Sequence, residues 1–214
     1  MPLFAQVKFA AFAGPQATSA HYTVRDSKQS TSYKYGFMVG GGIKVPFDNQ
    51  LYFFPSAYYS LKGYKVDLKD PSFPPSPNAL NNNTTIHTLE ICPMLQLDLS
   101  TKPSHPYIRF GPAVDFAFSG KESFDTVSNG GSPVRFSHPM VFSFGDYGRY
   151  TASANLHLGY ESEKGFTVFA FYEHGFGSLN NADKGPKIFH RIFGISLGWM
   201  FGHDPLVLDT RVKE

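Results

Sequence analysis

The chain has 214 residues, 17% of them charged and 16% aromatic, with a formal net charge of +2. This is enough for one domain with a sizeable core, and it excludes a disordered, coiled-coil or collagen-like chain. The near-neutral balance gives no ground for a nucleic-acid partner. Mean hydropathy is −0.22 and no window approaches 18 uninterrupted apolar residues, which excludes a helical membrane span but not a β-barrel, whose lipid face occupies every second residue.

Met1 to Gln6 has no basic region and no long apolar stretch. Leu3-Phe4-Ala5 reads as the tail of a signal peptide cleaved after Ala5, so residues 1–5 are set apart from the rest. The single cysteine, Cys92, excludes an intramolecular disulfide and a multi-cysteine zinc site.

Period two dominates the remainder of the chain. Val7, Phe9 and Ala11 alternate with Lys8, Ala10 and Phe12, and Tyr33, Tyr35, Phe37 and Val39 with Lys34, Gly36, Met38 and Gly40. Leu51 to Lys62 alternates with aromatics on both faces, so its facing stays open. Thr85 to Leu97 sets Leu89, Ile91, Leu95 and Leu97 against Glu90, Cys92 and Gln96. In the next strand Ile108, Phe110, Val114, Phe116 and Phe118 oppose Arg109, Ala113, Asp115 and Ala117. Pro112, which cannot donate to a ladder, predicts a bulge or local irregularity there. From Arg149 to Glu161, Tyr150, Leu156, Leu158 and Tyr160 oppose Arg149, His157 and Glu161, with aromatics at both ends of the apolar face. Phe166 to Glu173 and Phe189 to Phe201 complete the set, the last with Ile195, Leu197 and Trp199 on its apolar face. Alternate side chains of a strand point to opposite faces, so these are strands rather than helices.

Eight strands are predicted, most long enough to cross a bilayer when tilted. The connections alternate. Long ones are expected over Gly14–Ser32, Gly63–Thr84, Gly120–Gly148 and Gly175–Lys187, and short ones at Pro46–Asn49, Asp98–Pro106 and Ser162–Gly165. This is the pattern of an all-β, eight-stranded antiparallel up-and-down transmembrane β-barrel, with long loops outside the cell, short periplasmic turns and both termini in the periplasm. The barrel spans residues 6–201, and 202–214 form a periplasmic tail. On this reading the lipid-facing residues include Ile108, Phe110, Val114, Phe116, Phe118, Leu156, Leu158, Ile195, Leu197 and Trp199. Lys8, Lys34, Glu90, Arg109, Asp115, Arg149, His157 and Glu173 form a polar network in the lumen, with both signs present because an unpaired buried charge is costly. Eight strands leave room for side chains and not for a wide pore.

Four segments, in order, carry a resemblance: Gly36-Phe37-Met38-Val39-Gly40-Gly41, Tyr58-Tyr59-Ser60-Leu61-Lys62-Gly63, Leu89-Glu90-Ile91-Cys92-Pro93 and Tyr107-Ile108-Arg109-Phe110-Gly111-Pro112. From about Val7 to Phe201 the chain resembles the PorT-like outer-membrane β-barrel proteins of the Bacteroidota, with Cys92 interrupting that family's usual Leu-Glu-Ile-Pro. The resemblance implies a barrel in the outer membrane of a Gram-negative bacterium, and for some members a link to protein secretion. It brings no catalytic residues.

No enzyme, metal or cofactor site is expected. Ser153, His157 and Glu161 share one face of one strand, but residues four apart there are about 13 Å apart and cannot touch as a triad. His87 and Glu90, three apart, face opposite sides. Gly40-Gly41-Gly42 lacks the Lys-Ser/Thr of a phosphate loop and reads as close strand approach. Asp125-Thr126-Val127 resembles an O-glycosylation acceptor at Thr126. Phe73 in the second loop and Phe136, Met140 and Phe142 in the third are apolar for exposed loops and mark a candidate partner surface. The expected partners are outer-membrane lipid and other outer-membrane or periplasmic proteins, for a non-catalytic structural or accessory subunit of a complex in secretion, outer-membrane protein insertion or nutrient uptake. A narrow channel or small-ligand barrel, and a soluble lipocalin-like carrier with the facing reversed, are the alternatives.

Overall fold

The alternating segments close into a ring. The computed structural model describes residues 7–127 and 132–202, and the strands are β1 Lys8–Val24, β2 Ser27–Lys28, β3 Ser30–Ser32, β4 Lys34–Asp48, β5 Leu51–Asp67, β6 Asn81–Asp98, β7 His105–Val127, β8 Pro133–Pro139, β9 Tyr150–Glu161, β10 Phe166–Gly175 and β11 Lys187–Phe201. Eight of them form the wall in the order β1-β4-β5-β6-β7-β9-β10-β11, and β11 pairs back onto β1. Every pairing is antiparallel between wall strands consecutive in the chain, apart from that closure. Closure removes the sheet edges, so the ladder satisfies the backbone without water. The Ala5 cleavage and the tail beyond Gly202 lie outside the described residues.

The facing is that of a lipid-immersed barrel. Outward side chains are large, apolar and exposed: Ile195 58%, Leu197 55%, Leu158 54% and Val114 52%. Inward ones are buried and many are charged, among them Glu90, Arg109, Lys62 and Glu173. A water-soluble carrier would bury the first set and expose the second.

The turns at one end are short, residues 49–50, 99–104 and 162–165, and the connections at the other end are longer. The strands, however, run further toward the long-loop end than alternation suggested. Residues expected in the first loop belong to β1, which continues to Val24, and much of the third loop is β7 and β8. Above Phe116, the last β7 residue paired with β9, β7 is flanked by β8 instead, so a sheet ordered β3-β5-β6-β7-β8 stands beyond the ring. Its faces mix polar and apolar side chains, so the apolar period stops although the hydrogen-bond ladder does not.

At Pro112 there is no bulge, and the irregularity expected there is a gap in the ladder. The β6–β7 register is unchanged from Ile91↔Val114 to Leu95↔Phe110, with Pro93 and Pro112 in the unpaired gap between. The register shift falls instead at His87/Thr88. Beyond it, the buried residues of β7 change from odd numbers (Asp115, Ala117) to even ones (Glu122, Phe124). Gly42 is needed where it stands: a Cβ there would collide with the Phe54 ring inside the barrel.

Candidate functional site

The lumen is stacked in layers, each made by the same level of several strands. Nearest the short turns, Lys44 of β4 donates to Asp98 of β6 (2.7 Å) and Glu161 of β9 (2.8 Å). His105 Nε2 is 3.0 Å from Asp98, and Gln96 donates to the other Asp98 oxygen at 2.7 Å. Arg109 donates through Nε and Nη2 to Gln96 Oε1 (3.1 and 2.7 Å), and its guanidinium lies 3.4 Å above the Phe54 ring centroid. A pocket of ≈ 260 Å³ lined by Lys8, His105, Glu161 and turn residues opens this layer to the outside.

The second layer is apolar: Phe12, Met38, Phe54, Tyr58, Met94, Phe169, Phe171 and Ile192 pack together. His157 stacks on Phe169, centroids 4.9 Å apart and planes 7° off parallel. Asn155 and Cys92 meet at the Tyr58 hydroxyl.

The third layer is ionic and closed. Lys62 lies 2.9 Å from Glu90, 3.0 Å from Asp115 and 2.7 Å from Glu173, and all four side chains are at least 96% buried. Thr151 donates to Asp115 at 3.1 Å. A fourth, apolar layer with Tyr22, Tyr64, Ile86, Ala117, Leu179 and Ile188 caps it from the long-loop end, and Met140 and Tyr147 join it from the connection between β7 and β9. Tyr147 donates to Glu122 at 2.6 Å, and Asn82 donates to both.

Two carboxylate groupings bring possible metal-ligand atoms within 4.8 Å of one another: Asp98, His105 and Glu161, and Glu90, Asp115 and Glu173. In each, a lysine ammonium already bridges the carboxylates, which supplies the cation that such a cluster requires.

Of the predicted lumen residues, Glu90, Arg109, Asp115, His157 and Glu173 are buried inside the ring. Lys8 sits at the short-turn rim, its side chain 34% exposed and 3.6 Å from Glu161. Lys34 and Arg149 are corrections. The Lys34 side chain passes over Gly63, and its ammonium donates to Asn83 Oδ1, Thr84 O and Thr85 Oγ1. Arg149 is exposed ahead of β9, its guanidinium 5.4 Å from the Phe142 ring. Alternation counted both inward, but each lies at the end of a strand, where the pleat no longer dictates direction.

Lys44, Lys62 and Asp98 are buried charges that sequence reasoning missed, and Glu161, which alternation did put on the polar face of its strand, belongs with them in the lumen. The signal for Lys62 was the polar parity Ser56, Ser60, Lys62, which the register sets beside Glu90 and its even-numbered neighbours. The facing of β5, which alternation left open, is settled by Phe54 and Tyr58: both are buried inside the ring. Barrel interiors of this size hold aromatics as well as charges.

The predicted lipid-facing residues all lie on the outer wall, with Ile108 and Phe116 half-covered by neighbours. Thr126 is partly buried in the β7–β8 pairing. Phe73 and Phe136 are exposed (both 48%), whereas Met140 is buried (6%) and Phe142 packs against the upper apolar layer. Met140 is therefore plug rather than partner surface.

A closed ring of eight strands with an apolar outside and an ionic inside matches what the sequence is related to. Residues 4–181 match the outer-membrane protein β-barrel domain family. The chain belongs to that family. Its place is the outer membrane of a Gram-negative bacterium, and its wall contacts lipid. Solved structures similar in fold include Ail, the attachment invasion locus protein of Yersinia pestis (11% identity, 92% of this chain and 99% of that one, TM-score 0.48). Neisserial surface protein A (14%, 90% and 97%, 0.46) and OprG of Pseudomonas aeruginosa (11%, 93% and 97%, 0.41) are others. These likenesses are of fold alone. None of the curated proteins compared with the chain matches it.

Proposed function

We propose that this outer-membrane barrel is a non-conducting, non-catalytic accessory subunit, which uses its protruding sheet to engage another protein of the cell envelope. The observation that carries the reading is the filled lumen: two apolar layers enclose the Lys62 layer, so solutes have no continuous polar path. What is left to work with is the long-loop end. There Phe144 (97% exposed), Val127 (60%), Val141 (54%), Phe73 and Phe136 stand outside the ring on the sheet and the connections around it. Apolar groups exposed to water in this way mark a protein contact.

In this reading the long-loop end faces the cell exterior and both termini face the periplasm, as the length asymmetry of the connections favours. Membership of the PorT-like group of the Bacteroidota, with a place in a secretion, insertion or uptake complex, is the finer reading that the four sequence segments support. Thr126 remains a candidate O-glycosylation acceptor on the same protruding sheet.

Planar-bilayer recording tests the filled lumen. The expected result is no stable conductance, and a reproducible open level would overturn the non-conducting reading in favour of a narrow channel. Site-specific photo-crosslinking in the native membrane tests the partner surface. Probes at Phe136 and Phe144 are expected to trap one discrete protein that probes at Leu158 do not, and identical patterns from all three would refute it.

A further inference from the structure

On the outer wall, at the seam that closes the barrel, β1 presents small side chains between two ridges. Pro15, Ala17, Ala170 and Gly194 floor an apolar groove of ≈ 390 Å³, and Tyr35, Phe193 and Ile195 stand at its sides. Tyr35 is 86% exposed, and Tyr33 reaches across β1 to meet Phe193 edge-on, centroids 5.4 Å apart. Outward-facing residues recur every second position, about 7 Å apart along a strand. One such step from Phe193 toward the long-loop end is Arg191. It is paired with His174 of β10 on one side and Ser19 of β1 on the other. Arg191 and His174 are exposed. His174 is held in place by the Tyr172 hydroxyl at 3.0 Å. Among the described residues no carboxylate pairs with Arg191. Asp26, in the turn after β1, is taken by Lys187 at 3.3 Å.

An apolar groove on the lipid-facing wall, topped by a guanidinium with no carboxylate partner among the described residues and by the exposed His174 imidazole, is complementary to one kind of molecule. We infer that this seam binds a membrane lipid with an anionic phosphate headgroup, one acyl chain lying along Pro15, Ala17 and Gly194 and the phosphate meeting Arg191 and His174. Arginine forms a bidentate pair with phosphate oxygens, and the chain replaces contacts that the groove otherwise lacks. The orientation proposed above decides only that the lipid comes from the outer leaflet. The site itself stands on the wall geometry.

The test is native mass spectrometry of the full chain, released from micelles doped with equal amounts of phosphatidylglycerol and phosphatidylcholine of matched acyl chains. The expected result is one retained lipid, with phosphatidylglycerol favoured at least about fivefold. Arg191→Gln with His174→Gln should abolish that preference, and Ala170→Trp, an exposed wall position, should reduce retention of both lipids. Each variant is first checked for a heat-modifiable gel band, which shows that the barrel has formed. Equal retention of the two lipids by the unaltered chain, or an unchanged preference in the double variant, would overturn the inference. So would a dimer that Ala170→Trp disperses, since the groove would then belong to a second copy of the chain.

Discussion

The two ionic layers of the lumen use the same device at different depths. At the short-turn end Lys44 bridges Asp98 and Glu161, and both carboxylates have further partners in Gln96, His105 and Lys8 beside an open pocket. In the middle Lys62 alone bridges Glu90, Asp115 and Glu173, with apolar layers on either side. The rim layer has spare partners and water within reach. The central layer has one neutral partner, the Thr151 hydroxyl on Asp115, and no second cation, so its charge balance depends on one ammonium. Removing one member of a buried charge cluster costs far more than the cluster contributes as a whole, because the remaining charge is stranded.

The largest expected effect comes from Lys62→Met, which should lower barrel stability by roughly 3–5 kcal/mol. Urea unfolding from lipid vesicles measures it. Adding Glu90→Gln and Glu173→Gln should recover more than half of the loss. A triple variant no more stable than the single one would show that Lys62 matters for packing rather than for charge. Next is Arg109→Met, which removes a desolvated cation–π contact and two hydrogen bonds to Gln96 at a cost of about 2–3 kcal/mol. Lys44→Met should cost less, roughly 1–2 kcal/mol, since Lys8, His105 and water take over part of its role. A loss equal to that of Lys62→Met would erase the distinction between the layers.

The smallest effect lies outside the membrane. Arg135 holds Asp125 by two hydrogen bonds (2.9 and 3.0 Å), and Asn81 adds a third at 2.9 Å. These hold the Asp125 carboxyl down, at about 2 rather than its ordinary 3.8. A depressed carboxylate contributes stability that is fully present above the unfolded value and is lost as pH falls through the folded one. The protection of the β8 amides, measured relative to their intrinsic exchange rates at each pH, should therefore fall between about pH 4 and pH 2, and Asp125→Asn should flatten that change. Acid sensitivity that persists in Asp125→Asn would assign it to another group.

Much of the wall was legible in the sequence. Ile108 to Phe118 and Tyr150 to Glu161 alternate cleanly because lipid on one side and packed side chains on the other impose opposite demands on neighbouring residues. Where those demands end, so does the signal: β1 beyond Gly14 and β7 beyond Gly120 continue as strand through residues that read as loop. Met140 reads as an exposed loop residue and is part of the plug.

The residue order by itself determined the fold class, the number of wall strands, the outward faces of all but β5 and which end carries the longer connections, since all of these depend on contrasts between near neighbours in the chain. Only the tertiary structure decided the contents of the lumen. Lys44 and Glu161 are 117 positions apart, and Lys62 and Glu173 are 111 apart. Such partners meet only after the ring has closed in one register, and a one-residue slip in any strand would turn its charges outward to lipid.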